Sequence, residues 1–128
     1  MTRSLRLTIL PERLAIARLE PDSAVPEWAA SPGFCAVTRT PDELSIVCEE
    51  ASVPRGVTDE RGWRALKIVG PLGFDEVGVL LSLAAPLAEA GVSVFVISTY
   101  ETDYVLVRDG QLEAAISALT ERGHTLRE

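Results

Sequence analysis

The amino-acid sequence predicts an α+β fold of two βαββαβ units in tandem, the first of them degenerate. Three observations carry this. Segments repeat at an offset of about sixty residues, and short alternating apolar runs give way to apolar residues at helical spacing. A stretch holding Pro54, Gly56 and Gly62, "EEASVPRGVTDERGW", separates the two periodic regions. The units are expected at 1–60 and 61–128.

At that offset "FCAVTRTPDELSIVCEE" lies on "VFVISTYETDYVLVRD", with Val37 on Ile97, Thr38 on Ser98, Thr40 on Tyr100 and Ile46 on Leu106. "LRLTILP" (5–11) falls on "ALKIVGP" (65–71) at the same spacing. In the first unit "LRLTIL" reads as a strand, and "RLAIARLEP" as a second with Leu14 and Ile16 on one face. "AVPEWAAS" has room for one or two helical turns only. "TPDE" (40–43) then makes a four-residue hairpin turn, which sets Cys35 opposite Cys48.

The second unit is more regular. "WRALKIVG" alternates as a strand, "GPLGF" is a glycine-bounded loop, and Asp75 stands where a helix N-cap belongs. Val77, Leu80, Leu81, Ala84, Leu87 and Ala88 recur at helical spacing until Gly91, with Pro86 weakening the last turns. Strands "VSVFVIST" and "YVLVRD" follow. A second helix has Leu112, Ala115, Ile116 and Leu119 on one face, and "HTLRE" adds a last strand. This order is the split βαβ arrangement of ferredoxin-like folds.

Composition narrows the function. The 128 residues are 47% hydrophobic and 24% charged, which is globular composition with enough chain for a core. A net charge of −7 opposes a phosphate backbone or an anionic membrane as partner. Eleven of the twelve basic residues are arginine, scattered singly; Lys67 is the lone lysine. Apolar runs stay short of a membrane span, and Glu12, Arg13 and Arg18 interrupt any leader-like segment. A cytoplasmic protein is expected. In that reducing setting Cys35 and Cys48 read as structural thiols.

Catalytic chemistry has little to work with. His124 is the single histidine and has no nucleophile beside it, and P-loop, dinucleotide and zinc spacings are absent. A protein with neither cofactor nor metal, and not an enzyme, is expected.

Residues 61–128 resemble an ACT domain, the small ligand-binding module of amino-acid metabolism. "GPLGFDEVGVLLSLAAPLAEAGVSVFVISTYETDYVLV" together with "PEWA" and "TRTPDELSIVCEE" resembles the tandem-ACT subfamily, which includes small bacterial proteins and the cytosolic arginine sensors of animal cells. The resemblance implies two ACT-like units, self-association as a homodimer, and amino-acid binding at an interface between units. With no catalytic or DNA-binding pattern in these residues, the output is expected to pass to a separate, unidentified protein target. The alternative is a structural protein-interaction module of the same fold that has lost its ligand.

The residues suit that chemistry. An amino acid's carboxylate needs donors, and the loop Gly70-Pro71-Leu72-Gly73-Phe74-Asp75 leads glycine-rich backbone into a helix N-terminus. Its ammonium needs acceptors, and the hairpin corner supplies Ser98, Thr99, Glu101, Thr102 and Asp103. Tyr100 and Phe74 are candidates to wall a side-chain pocket. Resemblance to the arginine sensors favours Ile97 to Asp103 as the ligand-contacting stretch. Each feature has a plainer reading as a structural turn, with Thr102 or Asp103 bonded to its own backbone.

Overall fold

The computed structural model describes residues 4–30, 32–73 and 77–128. Among these the chain runs β1 (Arg6–Ile9), β2 (Leu14–Leu19), a 3-10 turn (Glu27–Ala30), β3 (Cys35–Arg39), β4 (Leu44–Glu49) and a second 3-10 turn (Glu50–Ser52). It continues through β5 (Thr58–Ile68), α1 (Val79–Glu89), β6 (Val94–Ser98), β7 (Asp103–Arg108), a 3-10 turn (Asp109–Gln111), α2 (Leu112–Glu121) and β8 (Thr125–Arg127). The fold is mixed α+β, dominated by sheet. No helix among the described residues is long and apolar enough to cross a membrane.

The backbone clusters into two compact units, Glu12–Trp63 on one side and Met1–Pro11 with Arg64–Glu128 on the other. This differs from a cut after residue 60. The segments 5–11 and 65–71, which the sixty-residue offset sets in separate units, are antiparallel neighbours in one. Leu7 lies opposite Ile68, Thr8 opposite Lys67, and Ile9 opposite Leu66. Their likeness has a physical origin, because both strands send alternate residues into one core: Leu5, Leu7 and Ile9 from one, Leu66 and Ile68 from the other.

The expected linker is also ordered structure. Residues 58–63 of β5 pair with β2, and the register shifts between Leu14 opposite Trp63 and Ile16 opposite Glu60. One extra residue on β5 is accommodated by a bulge around Gly62, whose φ is 80°. The Gly62 N–H donates to Glu50 Oε1 at 3.0 Å, and Arg61 donates to the carbonyls of Glu50 and Val53 at 2.8 and 2.9 Å.

In the unit Glu12–Trp63 the strands lie in the order β3-β4-β2-β5, every neighbouring pair antiparallel. Its core holds Ala15, Ala17, Ala29, Leu44, Ile46, Cys48 and Val53, with Leu19 packed against it. The row of β2 that packs into this core is therefore Ala15, Ala17 and Leu19; Leu14 and Ile16 share the other face, as expected, with Leu14 buried and Ile16 half-buried. Small side chains at 15 and 17 leave room for the fully buried Ala29 of the 3-10 turn. The β3–β4 hairpin has the expected register, Arg39 opposite Leu44 and Cys35 opposite Cys48. Both thiols are free, Cys35 exposed and Cys48 buried.

The other unit has the strand order β6-β7-β5-β1-β8, with β8 parallel to β1. Residues 64–128 follow the expected βαββαβ order, and α2 packs through Leu112, Ala115, Ile116 and Leu119 as its spacing indicates. Helix α1 differs. It starts at Val79 with Gly78 as N-cap, Asp75 of the sequence reading lies outside the described residues, and Val77 precedes the helix almost fully exposed. Its buried stripe is Val79, Leu83, Pro86 and Leu87, while Leu81 is 67% exposed. "VGVLLSLAAPLAEA" is apolar almost throughout, so its pattern leaves the inward face undetermined until the start is fixed.

Candidate functional site

Ser98 lies opposite Asp103, leaving 99–102 as a four-residue turn. The Thr99 N–H donates to the Thr102 carbonyl at 2.8 Å, and the Thr99 hydroxyl accepts from the Thr102 N–H at 3.3 Å. The Thr102 hydroxyl is buried and donates to the Ile68 carbonyl at 2.7 Å. Both threonines thus hold the turn itself. Thr40 does the same work in the earlier hairpin: its N–H donates to the Glu43 carbonyl at 2.9 Å, and its hydroxyl accepts from the N–H groups of Asp42 and Glu43 at 3.1 and 3.2 Å. By geometry Thr40 corresponds to Thr99. The hairpins therefore align one residue away from the sequence match, setting Arg39 on Ser98 and Pro41 on Tyr100.

The glycine loop closes on this turn. The Leu72 N–H donates to the Glu101 carbonyl at 2.7 Å. A Cβ at residue 70 would stand 3.1 Å from the Glu101 oxygen and 3.1 Å from the Leu72 nitrogen, so close approach of two backbones is what requires Gly70. The Gly70–Pro71 peptide bond is cis.

Loop, hairpin corner and helix start enclose a groove of about 570 Å³. Its lining includes Leu72, Gly73, Val77, Gly78, Val79, Leu80, Leu81 and residues 98–103. Of the sequence candidates, Leu72, Gly73, Ser98, Thr99, Tyr100, Thr102 and Asp103 come together here. Ile97 is not in the lining. Gly70 and Pro71 face a separate recess of about 230 Å³, which also touches Thr102. Phe74 and Asp75 lie outside the described residues. The sequence reading did not anticipate Val77, Gly78, Val79, Leu80 and Leu81 as groove walls. The one signal for them was the surplus of apolar residues beyond what a single buried stripe uses.

The groove brings a helix start and acidic residues into one lining. No side chain caps the N-terminus of α1 among the described residues, so its first N–H groups and the positive end of the helix dipole remain for an anion. Ser98 and the acidic residues Glu101 and Asp103 also line the groove. Neither carboxylate forms an ion pair among the described residues. Backbone donors and side-chain acceptors lining one groove fit the chemistry of a small zwitterion.

Comparison with known proteins bears on the family and the fold. The family model of the ACT domain matches residues 59–121, and a second model, of an N-terminal domain, matches residues 12–56. The cytosolic arginine sensor for mTORC1, subunit 1, of Mus musculus is 35% identical over 138 residues; that of Rattus norvegicus is 34% identical over 137. Each match takes in 91% of this chain and 41% of the sensor, so the chain spans about two-fifths of the length of these relatives. A crystal structure of an Agobacterium tumefaciens protein superposes with a TM-score of 0.94 at 42% identity, covering 99% of this chain and 96% of that one. The regulatory subunit of aspartate kinase from Thermus thermophilus shares the fold, with a TM-score of 0.64 at 14% identity over 91% of this chain and 96% of its own. Residues 59–121 belong to the ACT-domain family, and the chain is homologous to the cytosolic arginine sensors over most of its length.

Proposed function

We propose that this protein is a non-catalytic amino-acid-binding regulator whose ligand occupies the groove between the glycine loop, the start of α1 and the corner at residues 98–103. The observation that carries this reading is the groove's lining: among the described residues, a helix start with no side-chain cap shares it with Ser98 and with Asp103, which forms no ion pair there. The ligand's carboxylate meets the helix end, its ammonium meets Asp103 and Ser98, and Leu72, Leu80 and Tyr100 flank its side chain. In this reading the unit Glu12–Trp63 is a second, reduced ACT-type unit, with 3-10 turns in place of helices. Its antiparallel order β3-β4-β2-β5 and the matching roles of Thr40 and Thr99 support that correspondence.

The protein acts as a cytoplasmic homodimer in which a second copy closes the groove. Exposed Val77, Leu81 and Tyr100 border it and supply apolar surface for that contact. Binding then shifts the dimer's conformational population and its affinity for a separate protein target. The same apolar rim favours a second reading, an interaction module that binds protein and no amino acid.

Titration calorimetry against the amino acids, with and without Asp103→Ala, separates the two. Saturable heat from one amino acid, lost in the variant, supports the first reading. Heat from none, with dimerisation intact, supports the second.

A further inference from the structure

The wall formed by Gly70, Pro71 and Glu101 has a second side. Thr8 and Lys67 stand opposite each other on β1 and β5, whose neighbouring residues Leu7, Ile9, Leu66 and Ile68 fill the core. Alternation therefore sends Thr8 and Lys67 to the sheet face away from α1 and α2. There they line the recess of about 230 Å³ with Val69, Gly70, Pro71 and Glu101.

Lys67 is half-buried, and its Nζ lies 6.0 Å from the centre of the Tyr104 ring. That position holds the ammonium itself over an aromatic face, with no anionic partner among the described residues. Glu101 brings the opposite charge to the same recess, and the two form no ion pair. A lysine and a glutamate that share a concavity and do not neutralise each other leave room for a molecule that pairs with both. The volume is below that of pockets for larger ligands, which excludes bulky side chains.

We infer that this recess is a second binding site, for a small zwitterion carrying a carboxylate and an ammonium a few atoms apart. The Lys67 ammonium and the Thr8 hydroxyl receive the carboxylate, and Glu101 accepts from the ammonium. The inference does not rest on the groove reading: Glu101 and Thr102 line both cavities, but the recess site uses Lys67 and Thr8, which the groove lacks, and neither Asp103 nor the start of α1.

Glycine is the probe. In the full-length protein, followed by amide NMR, glycine should give saturable shifts at Thr8, Lys67, Val69 and Gly70. Lys67→Met keeps the stem and removes the charge, and should weaken that binding roughly tenfold or more, as loss of a charge-assisted hydrogen bond does. Glu101→Gln should weaken it while retaining the Leu72 backbone contact. Acetate or methylammonium alone should bind more weakly than glycine. Asp103→Ala should leave these recess shifts in place, which separates failure here from failure of the groove. Absence of shifts at the recess with glycine, or shifts unchanged in a folded Lys67→Met protein, overturns the inference.

Discussion

Pro86 and His124 are linked through one carbonyl. A proline has no N–H, so Pro86 leaves the Ser82 carbonyl of α1 without its helical donor, and His124 Nε2 lies 3.2 Å from that oxygen. The other ring nitrogen, Nδ1, accepts from the Leu5 N–H at 3.0 Å, which fixes the proton on Nε2 and makes it the donor to Ser82. His124 is held in place by the end of α2. Its N–H and that of Gly123 donate to the Leu119 and Thr120 carbonyls at 3.1 and 3.0 Å, with Gly123 at a φ of 90°. This is a Schellman ending that needs glycine at that position. The single histidine is thus a structural bridge between β1, α1 and α2.

The bridge gives a coupled stability prediction. His124→Ala leaves the Leu5 N–H and the Ser82 carbonyl without partners in a buried place, at a cost of about 2–4 kcal/mol. Pro86→Ala restores a backbone N–H aimed at Ser82. In that background His124→Ala should cost about 1 kcal/mol less, read as the interaction term of a double-mutant cycle in urea unfolding. Simple additivity would show that Pro86 and His124 do not share the carbonyl.

The contact of loop and turn should be sensitive to single atoms. Thr102→Val keeps the shape but removes the donor to the Ile68 carbonyl, and is expected to lose about 1–2 kcal/mol, whereas Thr102→Ser keeps most of the stability. Gly70→Ala sets a methyl against the Glu101 oxygen and should cost about 1–3 kcal/mol. Hydrogen exchange at the Leu72 amide should accelerate in Gly70→Ala, because its 2.7 Å bond to Glu101 is the one the methyl disturbs.

The cysteine pair predicts an unequal reactivity. Burial pushes the Cys48 thiol above its ordinary value of 9.0, Cys35 and Glu49 push the same way, and Arg61 opposes them. Exposed Cys35 should alkylate quickly and Cys48 only on unfolding. A raised native value means the protonated thiol is favoured in the folded state, so its stabilising contribution is complete below the unfolded value. That contribution is lost as pH climbs from about 9.0 toward the raised value. Cys48→Ala should flatten this alkaline decline in a stability-versus-pH series.

How far the sequence reaches depends on how local the cause is. Helix α2 was legible because Leu112, Ala115, Ile116 and Leu119 sit on a polar background, and the hairpin of Cys35 and Cys48 because one turn sets its register. The unit membership of β1 was not, since Leu7 meets Ile68 across some sixty intervening residues and no local pattern records that pairing. The inward face of α1 failed because the start at Gly78, not the apolar content, decides which residues turn inward. At the candidate site the polar corner was visible in the sequence. That Thr99 and Thr102 serve the turn, while the side chains of Ser98, Glu101 and Asp103 take no partner among the described residues, emerges only from the hydrogen bonds.

Amino-acid binding in the groove is tested most directly by thermal unfolding of the protein against each of the twenty amino acids, repeated with Ser98→Ala and Asp103→Ala. A ligand at a hundred times its Kd stabilises by about 2.7 kcal/mol, a shift of several degrees for a chain of this size. The expected result is such a shift with one amino acid or a related few, abolished in Asp103→Ala and reduced in Ser98→Ala while both variants stay folded. No shift with any amino acid, or a shift that survives Asp103→Ala unchanged, would contradict binding in this groove.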